Sequence, residues 1–298
     1  MQKENFVTKT VDQYKRGAFS NPKEVVLQTK SYFENCYNNH LLEGRERKCC
    51  HLSTTQNTLS TLKKRLQTLG APDAFLQGLR LPKADMDKLN SQKAAKVHQG
   101  GKNLVKIPAD SMILDCRDVF QHPESKRALR VIALACLTGR RMVELLLTLK
   151  LDRPKFEHNT NEAYWAHASG LAKCRGVKHS IDIPLFLKRG EVERHLREVR
   201  ALFEPPPAGL TLSEQKTWIN KKYSKEISRA MSRYCPSIKT IHNFRKFYAA
   251  VAVKYFMEND SSEVRLASDY LGHRQTSSTV LTYMNFKIFD VGSLEFDD

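Results

Sequence analysis

Six residues of this chain have the types and spacing to work on a phosphate. Arg141 stands in Thr138-Gly139-Arg140-Arg141-Met142-Val143-Glu144-Leu145, where a turn ends one apolar helix and an arginine begins the next. Lys173 lies between two strand-like runs. His242 and Arg245 bracket His242-Asn243-Phe244-Arg245, a spacing that puts both on one face of a helix. Leu271-Gly272-His273 closes a further helix, and Tyr283 follows ten residues after His273. Attack on a phosphodiester gathers negative charge on the non-bridging oxygens. Guanidinium groups oppose that charge bidentately and keep their proton at neutral pH. A phenol, with a pKa of about 10, must lose its proton as it attacks. Two arginines with histidine donors can serve such a reaction without a metal.

Taken singly, each residue has a plainer reading. Arg245 alone is a charge on an amphipathic helix, and His273 alone is a helix C-cap. Tyr283 is one of ten tyrosines. The Phe244, Phe247, Tyr248, Val251 and Tyr255 stripe is core packing, with no cofactor implied. Walker loop, G-x-G-x-x-G, H-E-x-x-H and G-x-S-x-G signatures are absent, which removes the common ATPase, dehydrogenase, zinc-protease and hydrolase readings.

The elements that must hold these residues are mostly helical. Residues 1–108 read as a helical DNA-binding domain, with helices over Lys23–Asn38, Thr54–Leu69 and Pro72–Gly78. The second has a basic flank of Lys63, Lys64 and Arg65. Lys93–Lys106, which contains Gly100-Gly101 and the cations Lys96, Lys102 and Lys106, reads as an exposed basic linker suited to a phosphate backbone. Residues 109–298 read as a second domain, its helices covering Ser111–Val119, Glu124–Leu137, Arg141–Leu149, Lys188–Phe203, Ser213–Tyr234, Thr240–Glu258 and Ser262–Leu271, with a short one near Val280. Two strand-like runs, Ala163–His167 and the alternating Val177–Ile183, imply a small antiparallel sheet with Lys173 in its hairpin.

The charge balance agrees with a polyanionic partner. The 298 residues carry a formal charge of +17. Residues 1–108 hold 19 basic and 9 acidic side chains, and the remainder 30 and 23, so the excess is no detachable tail. Nucleic acid is the leading candidate, because lysines and arginines on phosphates release counterions. Seven cysteines, an odd number without a C-x-x-C pair, imply reduced thiols in cytoplasm, nucleoid or a nucleus. Cys49-Cys50-His51 lacks a second ligand pair for zinc. Neither a secretory signal nor an apolar run of the ~18 residues a membrane helix needs is visible.

The ordered set resembles the tyrosine recombinase superfamily, with its arginine in a T-G-x-R-x-x-E-L turn, hairpin lysine, H-x-x-R box, L-G-H box and nucleophilic tyrosine. The resemblance covers about residues 109–290 and assigns Arg141, Lys173, His242, Arg245, His273 and Tyr283 as catalytic. Arg140 is then a phosphate or surface contact, and Glu144 a scaffold orienting the arginines. His242 or His273 takes the tyrosine's proton or donates to phosphate oxygens. Lys173 protonates the leaving 5′-oxygen, with Lys178 on the same hairpin as the fallback.

Within that superfamily the chain is similar to the hairpin telomere resolvases, or protelomerases. The likeness rests on Ala168-Ser169-Gly170-Leu171-Ala172-Lys173-Cys174-Arg175, on Ile181-Asp182-Ile183-Pro184-Leu185 with the Leu196-Arg197-Glu198-Val199-Arg200 helix, and on Tyr283-Met284-Asn285-Phe286-Lys287. It implies a tyrosine recombinase-like catalytic domain and a homodimer on palindromic double-stranded DNA. Both strands are cut through 3′-phosphotyrosine and resealed as closed hairpin ends, with no ATP or metal required. Duplex contacts are expected from Lys63, Lys64, Arg65, Lys96, Lys102, Lys106, Arg140, Arg175 and Lys178. The competing expectations are a tyrosine integrase, a type IB topoisomerase-like enzyme, and an inactive DNA-binding protein.

Overall fold

The computed structural model describes residues 2–42, 51–102, 105–158, 161–171, 180–238, 240–257, 262–272, 286–292 and 294–296. The chain divides into two compact units, Met1–Lys96 and Val97–Asp298. Among the described residues no helix is long and apolar enough to cross a membrane.

The first unit is built from α1 (Gln2–Lys15), α2 (Pro22–Leu42), α3 (His51–Thr68), α4 (Asp73–Gly78) and the start of α5 (Lys83–Lys102). Leu59, Leu62 and Leu66 of α3 meet Val7 and Val11 of α1 and Val25 of α2, so one apolar stripe per helix makes the core. The stretch expected to be a linker is helical to Lys102. Lys93-Ala94-Ala95-Lys96 are strong helix formers, and the two glycines fall only in the last turn.

In the second unit α7 (Arg127–Thr138) is the central helix, and all but one of the eleven positions from Ala128 to Thr138 are buried. Around it pack α6 (Ala109–Asp118), α8 (Arg189–Ala201), α9 (Leu212–Tyr234) and α10 (Ile241–Phe256), with α11 (Glu263–Tyr270) beside α10. Cys136 is buried in that core. The expected helix over Arg141–Leu149 is a short helical entry followed by a single π-helical turn, Glu144–Thr148.

The expected sheet is three-stranded and antiparallel. Strands β2 (Lys150–Asp152), β3 (Trp165–Ser169) and β4 (Ile181–Pro184) lie in that order, with His167 opposite Asp182. A second pair escapes sequence reading: β1 (Val105–Pro108) runs parallel to β5 (Phe286–Phe289), Val105 opposite Phe286. The short helix expected near Val280 lies outside the described residues.

Candidate active site

The Arg141 segment is shaped by a left-handed turn. Gly139 ends α7 with φ +65°, and its N–H donates to the Ala135 carbonyl. A methyl group on Gly139 would overlap the ring of Tyr248, so both conformation and space require glycine. Tyr248 is fixed in turn, its hydroxyl donating to the Pro184 carbonyl at 2.6 Å. The turn sends the two arginines in opposite directions. Arg140, expected at the surface against DNA, is instead 1% exposed. Its guanidinium donates to the Thr138 carbonyl at 3.0 Å and to the Tyr270 carbonyl, tying the turn to the end of α11. Arg141 keeps 22% of its side chain exposed.

Glu144, fully buried at the start of the π-helical turn, organises this region. One carboxylate oxygen accepts the Arg141 backbone N–H at 2.8 Å and the other its guanidinium at 2.6 Å. Burial alone would raise the Glu144 pKa. Arg140, Arg245 and Arg141 outweigh that and hold it below the ordinary carboxylate range. The scaffold role expected for Glu144 is thus visible as geometry. Arg200 of α8, quoted only as part of a resemblance, holds the turn from behind. Its guanidinium donates to the carbonyls of Leu145 and Leu149, both at 2.8 Å. π-Helical turns leave such carbonyls poorly served and recur at functional sites.

The H-x-x-R box opens α10. Thr240 caps the helix, its hydroxyl accepting the Asn243 N–H at 3.3 Å, and His242 is exposed in the first turn. Arg245, one turn on, is 1% exposed. It donates to the Gly139 carbonyl at 2.7 Å and to the Leu271 carbonyl, linking the T-G-x-R turn to the L-G-H box. Arg141, His242 and Arg245 all line one cleft of about 300 Å³, whose opposite wall is α9.

Lys173, Arg175 and Lys178 belong to the connection between β3 and β4, and they lie outside the described residues, as do His273 and Tyr283. Around the base of that hairpin, Asp182 is a hub. It pairs with His167 at 2.6 Å and accepts the backbone N–H groups of Lys155 and Phe156 at 2.8 and 3.0 Å. Burial raises its pKa, but these donors outweigh burial and leave it lowered. The segment after Tyr283 is also pinned. Asp110, 1% exposed, accepts the Gly292 N–H at 3.0 Å and the Tyr255 hydroxyl, while Asp290 accepts from Ser111 at 2.8 Å. Sequence reading missed Asp110, because a lone aspartate near a helix start resembles any helix-favouring carboxylate.

Of the residues expected to grip DNA, Lys64 and Lys106 are exposed and Lys63 is half-buried. Arg65 is engaged within its own unit, 2.6 Å from Glu4. The side chains of Lys96 and Lys102 in α5 lie outside the described residues. Among the described residues no group of three or more His, Cys, Asp or Glu side chains is placed to hold a metal ion.

Comparison with known proteins bears on this arrangement. The family model described as the telomere resolvase ResT/TelK catalytic domain matches residues 103–286. A solved protelomerase TelA, covalently complexed with substrate DNA, has 17% identity and a TM-score of 0.65, each chain covered to 95%. A TelA variant complexed with DNA hairpin product has 15% identity and a TM-score of 0.66 at the same coverage. Protelomerase TelK complexed with substrate DNA gives 17% identity and a TM-score of 0.61, covering 98% of this chain and 59% of that one. At these identities the structural likenesses establish the fold, which is mainly helical with a small antiparallel sheet. No curated protein sequence matches the chain.

Proposed function

The chain belongs to the telomere resolvase ResT/TelK family, and from that membership we propose that it cuts and rejoins palindromic DNA junctions into covalently closed hairpin ends. The observation that carries the reading is the cleft lined by Arg141, His242 and Arg245, with Arg141 held by Glu144, inside the span that matches the family. The solved relatives are described as holding substrate DNA covalently and as holding a DNA hairpin, which supports the same partner for this chain.

In the proposed reaction the Tyr283 phenolic oxygen bonds to phosphorus as the bond to the 5′-oxygen breaks. The phenolic proton passes to His242 or His273, and the departing oxygen takes a proton from Lys173. Arg141 and His242 stand at the open side of the cleft, where non-bridging oxygens are reached. Arg245 forms the floor, where its charge adds to theirs. In the second step a free 5′-hydroxyl attacks the phosphotyrosine across the junction and tyrosine leaves. One phosphoester replaces another at each step, so the reading calls for no ATP. The guanidinium groups supply fixed positive charge at the phosphate, and an imidazole supplies a hydrogen bond. A palindrome offers two equivalent half-sites, which calls for a two-fold pair of chains on the DNA.

Two measurements test the reading. Tyr283→Phe is expected to abolish the covalent DNA adduct while duplex binding persists. Linear products from a palindromic substrate are expected to snap back to duplex after denaturation. Products that melt into separate strands, or a four-way junction, would make the chain an integrase instead.

A further inference from the structure

Helix α9 forms the wall of the reaction cleft opposite Arg141, and its sequence is graded around its axis. Ile219, Tyr223, Ile227 and Met231 are buried and fix the rotation of the helix. Next to that face, Lys216, Asn220, Ser224 and Ser228 recur every four residues and line the cleft. Lys216 is half-buried, and the other three are exposed. One ridge further out, Lys221, Lys225 and Arg229 recur at the same interval and are all exposed. Asn220, Ser224 and Ser228 thus present small neutral heads to the cleft beside Lys216, and further cations stand behind them.

A ridge made only to meet water has no reason to carry Asn and two serines. These residues compete with the backbone for hydrogen bonds and form helix less readily than Lys or Glu. What they offer is closeness: a short amide or hydroxyl donates to a phosphate oxygen while letting the strand lie against the helix. The length fits as well. At about 1.5 Å per residue the ridge runs ~18 Å; even at the ~3.4 Å axial rise per nucleotide it spans at most about five links, and fewer along the longer path of the strand itself.

We propose that the Lys216–Asn220–Ser224–Ser228 ridge is a strand-binding edge of the cleft, seating the phosphodiester links beside the one attacked; this rests on the reading of the cleft as a DNA-cleaving site. Lys216 supplies the ridge's cation, and Lys221, Lys225 and Arg229 hold the strand in place from outside. None of the four takes part in bond making; they position the strand that Arg141 and His242 act upon.

The test couples protein and DNA changes. Cleavage by the wild type, Lys216→Gln and Lys216→Arg is measured on palindromic duplexes in which single links near the cut carry neutral methylphosphonates. The expected result is about a tenfold loss for the wild type at one flanking link. Lys216→Gln should show about the same loss on unmodified DNA and no further loss at that link. Lys216→Arg restores the rate, and Lys216→Gln lowers the salt slope of binding by about one. Ser224→Leu, which fills the ridge, is expected to slow cleavage about tenfold at unchanged melting temperature. Losses that multiply independently at every flanking link would overturn the inference. A wild-type chain that binds duplex but forms no adduct would overturn the cleavage reading instead. The same coupling would then be sought in binding affinity, where its absence removes the ridge as well.

Discussion

Arg141 and Glu144 are joined twice, once through the Arg141 backbone and once through its guanidinium, and the carboxylate that joins them is fully buried. Three arginines converge on that one negative charge. Glu144 therefore fixes the direction of Arg141 and also offsets part of the repulsion among the cations.

Glu144→Gln keeps the shape and removes the charge. Cleavage is expected to fall about 100-fold, a loss comparable to removing one fixed donor from a reacting centre, while duplex affinity changes only a few-fold. Single-turnover adduct formation beside a binding titration checks this, and an equal loss in both would show that Glu144 serves binding rather than chemistry.

Acid should unfold the second unit through identifiable groups. Glu144 and Asp182 both have carboxyl pKa values held below their ordinary range. The folded state thus takes up protons less readily than the unfolded chain. Their contribution is present above about pH 4–5, near the unfolded carboxylate pKa, and is lost as pH falls through the lower folded values. Denaturant melts between pH 7 and pH 3 should show this decline. Asp182→Asn should flatten it, and an unchanged slope would remove Asp182 from the account.

Gly139→Ala combines a left-handed backbone with a methyl group directed at the Tyr248 ring. A loss of about 3 kcal/mol or more in stability is expected, since strain and overpacking add. Made in a Tyr248→Ala background, Gly139→Ala should cost only the backbone strain, about 1–2 kcal/mol relative to Tyr248→Ala alone.

Arg140 and Lys64 should separate structure from grip. Arg140→Gln strands the carbonyls of Thr138 and Tyr270, which costs about 1–3 kcal/mol for each buried acceptor left unmade. Its melting temperature should fall markedly. Lys64→Ala should melt like the wild type and bind duplex with a salt slope lower by about one. A stable Arg140→Gln with weakened binding would return Arg140 to the surface role expected from sequence.

The order of Arg141, Lys173, His242, Arg245, His273 and Tyr283 is legible because each sits beside its own local signature. The central helices are legible from their periodicity. Which of two adjacent arginines turns inward is not written in their types; the left-handed turn at Gly139 and the carbonyl of distant Tyr270 decide it. The helix through Lys93–Lys102 was hidden because a glycine pair looks like a break wherever it falls. Strands β1 and β5 are four residues each and pair across most of the second unit, so no local pattern marks either. The α9 ridge is invisible in sequence until its helix is placed against the arginines.

The β1–β5 pairing joins the start of the second unit to the segment near its end. Gly272 is bonded back to Asp269, and Phe286 is held beside Val105, so residues 273–285 run between two anchor points of one and the same unit. Tyr283, the proposed nucleophile, precedes Phe286 by three residues in the sequence. On the proposed cleavage reading, the tyrosine and the arginines of the cleft belong to one unit, so attack within the protein–DNA complex is an intramolecular step and the concentration of protein in solution does not enter it.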